Sequence, residues 1–311
     1  MLIKNTNMRI CLLGVAMLTI LLAVGCDRKG ENIPTGFPTV NSLEVEGWTF
    51  FQNAQYTKAI EAFVDLKNRD ASNVSAYNGL GWSYTRTSEY TAAEQNFQLL
   101  LSLTDDEKLV TDAYAGLAMM FFSTPKELAG DGGQTERNVR DQQAINYINQ
   151  VLERDNSFTF EYDDAVNVNS LKKVIAQCLF NRQEFLQCIQ YIESNFNPDY
   201  FQSLVESGII VKVENDTITA GISANSEVSG QANCTVTKNG AEIELIRVLS
   251  VKHPDFSEVN YEIVSFTQGS GEVVFQGNPI PEKDQKFLID YYYTPDFGTL
   301  LAEIMKTLKS E

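Results

Sequence analysis

The sequence predicts an α + β chain of two domains. An all-α array of about four helix pairs covers residues 41–206, and a small antiparallel β-sandwich with a closing helix covers 207–311. Three observations predict this. In the first half, a set of small and large apolar residues recurs after 34 residues. Beyond Pro198 the apolar period shortens to two, the period of a strand. Asn239-Gly240 stands between two alternating runs, and that dipeptide supplies the positive φ angles of a tight hairpin turn.

The helical elements follow in order. Tyr77, Leu80, Gly81, Tyr84, Tyr90, Ala93 and Phe97 have the spacings of one antiparallel helix pair with a turn at Ser88-Glu89. Gly81 and Ala93 fall where the two helices approach most closely. Leu43, Gly47, Phe50, Tyr56, Ala59 and Phe63 carry the same pattern 34 residues earlier. Such units cannot bury their apolar faces alone, so neighbours must stack. A third unit begins near Thr111 with Tyr114, Leu117, Ala118 and Phe121. Its second helix is delayed to Ala144, Ile145 and Ile148 by a loop from Pro125 to about Asn138, centred on Gly130-Asp131-Gly132-Gly133. Glycines there cannot continue a helix cheaply. A fourth unit covers about 169–197, through Ile175, Ala176, Leu179, Phe185, Cys188, Ile189 and Ile192. It is preceded by a second insertion, about Thr159 to Val168, that carries Glu161, Asp163 and Asp164. Asp199–Glu206 reads as a short capping helix.

The order of Gly81, Tyr84, Tyr90, Ala93 and Phe97 resembles the tetratricopeptide repeat family, closely over 40–107 and more loosely to about 197. The resemblance implies a solenoid whose first helices line a concave face. In that family the residue after the small first-helix position, and the one three further on, point into the groove. Here these are Trp48 and Phe51, Trp82 and Thr85, Met119 and Phe122, and Gln177 and Phe180. The only two tryptophans of the chain thus share one place in adjacent units. Rigid aromatics bury much area at small entropy cost, as interface hot spots do. The expectation is a protein or peptide partner held by Trp48, Phe51, Trp82, Met119, Phe122 and Phe180, with Glu44, Gln52, Asn78 and Arg86 as polar contacts. The alternative is that these aromatics pack on one another or on the chain's own C-terminal part. Family members that grip a C-terminal carboxylate use a Lys and paired Asn on these helices, and Glu44, Trp48 and Gln52 do not match them.

At the start of the chain, Lys4 and Arg9 precede an apolar run, Ile10 to Val24, that ends at Gly25-Cys26. A basic start, an apolar stretch and small residues before a cut describe a secretory signal over 1–25. Leu22-Ala23-Val24-Gly25-Cys26 also resembles the bacterial lipobox, which implies acylation of Cys26 with palmitate-type chains. Two or more chains make a stable membrane anchor where one would be marginal. The expected location is the cell envelope, facing the periplasm or exterior, with inner and outer membrane left open. Asp27 resembles the inner-membrane signal of enteric bacteria. Residues 26–40, with Gly30, Pro34, Gly36 and Pro38, read as a flexible tether. Of 24 Lys and Arg, Lys4 and Arg9 leave with the signal, so 22 face 41 Asp and Glu and the mature charge is −19. Such a chain repels nucleic acid.

In the last third, seven strands are predicted: Ile209–Val213, Thr217–Ala220, Gln231–Thr237, Ala241–Val251, Val259–Thr267, Glu272–Gln276 and Lys286–Tyr293. Their number and turns suggest an immunoglobulin- or fibronectin-like sandwich. Leu300, Leu301, Ile304 and Leu308 lie on one face of a helix from Asp296, a candidate N-cap. Tyr291-Tyr292-Tyr293 offers a second functional reading, a β-domain that stacks on envelope glycans, against core packing of the same rings. The single histidine, His253, is expected at the surface of a turn. No nucleophile elbow, phosphate loop or metal-protease motif accompanies it, so no enzyme and no cofactor are predicted. Asp131 and Glu136 lack the alternating acidic ligands of a calcium loop. Cys178 and Cys188 allow a disulfide or two buried free thiols.

Overall fold

The computed structural model describes residues 39–124, 133–222, 231–238, 241–255, 259–266, 271–277, 281 and 284–309. The signal segment, Cys26, most of the tether, Asp131 and the Asn239-Gly240 turn lie outside these residues. The chain is α + β. Nine described helices come first: α1 Val40–Gln52, α2 Tyr56–Arg69, α3 Val74–Arg86, α4 Tyr90–Leu103, α5 Glu107–Ser123, α6 Gly133–Arg154, α7 Val168–Asn181, α8 Phe185–Asn195 and α9 Tyr200–Glu206. None of them is long and apolar enough to cross a membrane. The first inserted loop is shorter than expected, because α6 already begins at Gly133.

Two phenylalanines set the spacing of the early helices. Phe63 of α2 lies against Gly47 of α1 and Gly79 of α3, where an added Cβ would come within 2.7 and 2.3 Å of its ring. Phe97 of α4 stands in the same relation to Gly81 of α3 and Gly116 of α5, at 2.5 and 2.2 Å. Each second helix therefore inserts one fully buried ring between its own first helix and the next. Small residues are required where that ring meets backbone, which is why glycine recurs there.

The turns inside the pairs repeat as well. Gln55 N–H donates to Phe50 O, Glu89 N–H to Tyr84 O and Glu184 N–H to Leu179 O, each at 2.9 Å. One residue earlier, Ala54, Ser88 and Gln183 have φ of 56°, 65° and 65° and donate to the carbonyls of Phe51, Thr85 and Phe180. These paired bonds satisfy carbonyls that the end of a helix leaves open, by way of one left-handed residue usually filled by glycine.

The β half consists of β1 Val211–Thr219, β2 Gly221–Ile222, β3 Gln231–Thr235, β4 Thr237–Lys238, β5 Ala241–Glu242, β6 Glu244–Lys252, β7 Asn260–Phe266, β8 Glu272–Gln276 and β9 Lys286–Thr294. Seven of these form one antiparallel sheet in the order β1-β9-β6-β7-β8-β3-β2, and β4 and β5 pair as a separate hairpin. Lys238 pairs with Ala241 across the Asn-Gly position, as that dipeptide predicts. The first two predicted strands are one strand, β1, with a bulge between Val213 and Asp216. Asn215 there takes φ 57° and donates its N–H to Asp290 Oδ1 (2.7 Å). The sheet curls around a single core, to which Ile218, Cys234, Val251, Phe275, Phe287 and Tyr291 contribute from five strands.

The helical and β parts pack on each other. Phe201 of α9 meets Tyr292 of β9 edge to face at 5.0 Å. The closing helix, α10 Phe297–Lys309, buries Leu300 and Ile304 and sets Phe297 against Phe185 of α8, also at 5.0 Å. Asp296 caps it by accepting the Thr299 N–H at 3.2 Å. The last helix pair is thus covered by α9 and α10, as the end of a stacked array must be.

At the left-handed turn positions an L side chain costs about 1 kcal/mol relative to glycine. Ala54→Gly is expected to raise the unfolding free energy by about 0.5–1 kcal/mol, read from the urea midpoint at unchanged slope.

Candidate functional site

The first helices of the pairs bring Trp48, Phe51, Trp82, Thr85 and Arg86 to one face, as their spacing predicts. The second insertion lies across this face. Residues 158–166 form a strap that joins α6 to α7 and runs over α1 and α3. Trp48, 4% exposed, stacks on Tyr162 with ring centroids 3.7 Å apart and planes within 2°. Trp82, fully buried, stacks on Phe160 at 4.2 Å and 19°. Phe160 is itself fully buried and also meets Trp48 and Phe51 edge-on, at 5.9 and 6.2 Å. Offset stacks and edge contacts of this kind add to simple area burial. Of the two readings of the tryptophans, internal packing is the arrangement found, but the chain segment involved is the insertion.

Charge pairs flank the stacks. Arg86 pairs with Asp163, and Lys108 Nζ with Glu161 Oε2 at 2.5 Å. Beneath them Asn78, 1% exposed, donates Nδ2–H to Asp112 Oδ2 at 3.4 Å. Burial pushes the Asp112 carboxyl up to about 7, against the opposing pull of Lys108 and the Asn78 bond, while Glu161 adds to the rise. An open cleft of about 710 Å³ borders the start of the strap, lined by Lys108, Asp112, Glu153, Arg154, Phe158 and Thr159.

The remaining predicted contacts are spread out. Glu44 is half-buried and Gln52 exposed. Met119, Phe122, Gln177 and Phe180 are half-buried, with Phe180 edge-on to Phe185 at 5.6 Å. The face is therefore closed by the strap at α1 and α3, and keeps partial exposure at α5 and α7. Phe158, Phe160 and Tyr162 lie outside the helical periodicity that marks the other contacts. Their alternation in Phe158-Thr159-Phe160-Glu161-Tyr162 is the two-residue period of an extended segment with one apolar face.

Elsewhere, His253 is a correction: it is buried, 7% exposed, not a surface turn residue. The Asp255 N–H binds its Nδ1 at 3.1 Å and Gln285 faces its Nε2 at 3.0 Å, so the ring closes a turn against the sheet core. In the tyrosine run, Tyr291 is fully buried and donates its hydroxyl to Asp216 Oδ2 (2.8 Å), and Tyr292 packs on Phe201. These two rings are committed to packing rather than to a stacking platform. Cys178, Cys188 and Cys234 are buried free thiols, and Cys188 Sγ lies 3.2 Å from Ala176 O. Burial raises all three thiols, so they stay protonated at neutral pH.

No family model matches the chain, and no curated protein matches it.

Two outcomes follow from the geometry. Trp82→Ala removes a fully buried indole from between Phe97 and Phe160 and is expected to cost about 3–5 kcal/mol of stability, measured by urea unfolding. Asp112 ionises near 3.8 when unfolded and near 7 when folded. Rising pH between those values therefore favours the unfolded state, and the loss is complete above about 7. Asp112→Asn is expected to remove that dependence. Its Tm relative to the wild type should increase from pH 4 to pH 8, whereas an unchanged difference would show that Asp112 does not titrate in this way.

Proposed function

We propose that this chain is a lipid-anchored adaptor of the bacterial cell envelope, built on tetratricopeptide-like helix pairs and carrying an immunoglobulin- or fibronectin-like β-domain. Cys26 holds it to the membrane, and the face of the first helices binds a protein or peptide partner. Met119, Phe122 and Phe180 are the apolar contact residues that remain partly exposed there.

One observation carries this reading. The face already receives a looped polypeptide segment, with an aromatic side chain stacked on each tryptophan and a carboxylate on Arg86. Its chemistry is that of a segment-binding groove. The turns that recur at Ala54, Ser88 and Gln183, and the glycines around Phe63 and Phe97, support the repeat assignment. The basic start, apolar run and cysteine at 26 support the anchor.

Photocrosslinking in intact cells tests the proposal. A photoreactive residue at Phe122 is expected to capture a discrete protein that the same residue at Leu99, an exposed position away from the groove, does not capture. In the same cells the wild-type chain should fractionate with membranes and the Cys26→Ala chain should not. Identical adducts from both positions would overturn the groove assignment.

A further inference from the structure

The strap is built as a separable occupant of the groove. Its main-chain hydrogen bonds, among the described residues, close on its own neighbourhood. Phe160 N–H donates to Val166 O, Asp163 N–H to Phe160 O, Val166 N–H to Asp163 O and Val168 N–H to Phe158 O, at 2.8–3.1 Å. The contacts named between it and α1, α3 and α5 are made by side chains: two ring stacks, two edge contacts of Phe160 and two ion pairs. Both ion pairs are partly open to solvent, where such pairs contribute little. Its internal bonds do not depend on the helices beneath, and the cleft beside Phe158 and Thr159 leaves one of its edges open.

The groove floor, meanwhile, is incompletely matched by the strap. Asn78, Trp82 and Arg86 lie at i, i+4 and i+8 of α3, on one stripe about 12 Å long. Each holds a buried polar atom with no partner among the described residues: Asn78 Oδ1, Trp82 Nε1 and Arg86 Nε. Two are donors and one is an acceptor. Buried groups of this kind cost stability unless a partner meets them. The amides and carbonyls of Phe160, Asp163 and Val166 are turned into the strap's internal bonds. An extended backbone, at about 3.3 Å per residue, presents free carbonyls and amides along such a stripe.

We infer that the strap is an intramolecular stand-in for a ligand. The Trp48–Trp82 part of the groove opens by release of residues 158–166 and takes an extended peptide with two aromatic residues two positions apart, interleaved with acidic ones. The aromatics replace Phe160 and Tyr162 on the two indoles, and the acids replace Glu161 and Asp163 on Lys108 and Arg86. The inference rests on the reading of this face as a partner-binding groove and adds the chemistry of the partner and the element that competes with it.

Both tryptophans of the chain lie under the strap, so tryptophan emission reports on this groove alone. The purified chain and its Glu161→Gln/Asp163→Asn variant, which lacks both ion pairs, are titrated with a synthetic peptide of residues 157–165. The peptide is expected to change the emission saturably in both. Binding should be about threefold tighter to the variant, because loosening the strap raises the fraction of open groove. A control peptide with alanine at the two aromatic positions, 160 and 162, should do nothing. Absence of a saturable change, or a change that the control peptide reproduces, overturns the inference. If the variant does not fold, the wild-type titration and its control decide the matter alone. Crosslinking from Phe122 reads the uncovered part of the face, so its result stands apart from this one.

Discussion

The contact that closes the open face of the helical half is the stack of Trp82 on Phe160. A stacked array of helix pairs is held by contacts between neighbours, and its interior helices leave a common face that no neighbour covers. Here that face carries two indoles, which would present a large apolar surface to water. The insertion between α6 and α7 returns to cover them. It thereby ties residues of α1 and α3 to a segment about 80 to 110 positions later in the chain. The array is no longer a sum of local units: its third and fourth pairs hold the insertion that shields the first two. Contacts of such sequence separation form late and slow folding, because a long loop must close before they are rewarded.

The same constraint explains the placement of the polar residues. Once Phe160 and Tyr162 lie on the indoles, Glu161 and Asp163 are carried to the flanks, where Lys108 and Arg86 stand. Asp112 is then buried beneath them with one hydrogen bond among the described residues, from Asn78. A carboxylate in that position is poorly solvated and favours its neutral form. The stripe on α3 is left with polar atoms that the strap does not meet. At the other end of the array, Phe185 on Phe297 and Phe201 on Tyr292 join the last helix pair to the β part. Residues 43–311 accordingly form one compact unit.

The sequence by itself determined the helix pairs, because a glycine facing a buried phenylalanine ring is a local requirement that recurs wherever second helices insert. Gly47, Gly81, Phe63 and Phe97 were legible for that reason, and so were the change of period after Pro198, the Asn-Gly hairpin and the cap at Asp296. The residues of the groove were legible too, since one helical spacing puts Trp48 and Phe51, or Trp82 and Arg86, on one side. Only the tertiary structure decided what those residues touch. Phe160 and Tyr162 sit in an irregular segment whose path depends on where α6 ends and α7 begins, and no periodicity reaches across that distance. The joining of two predicted strands into β1 likewise rests on a bulge held by Asp290, 75 residues further on, and the burial of His253 on a sheet that curls around it. Local packing rules act over one or two helical turns and can be read in order along the chain. The choice between an open groove and a filled one is made by side chains that meet only after the whole array has assembled.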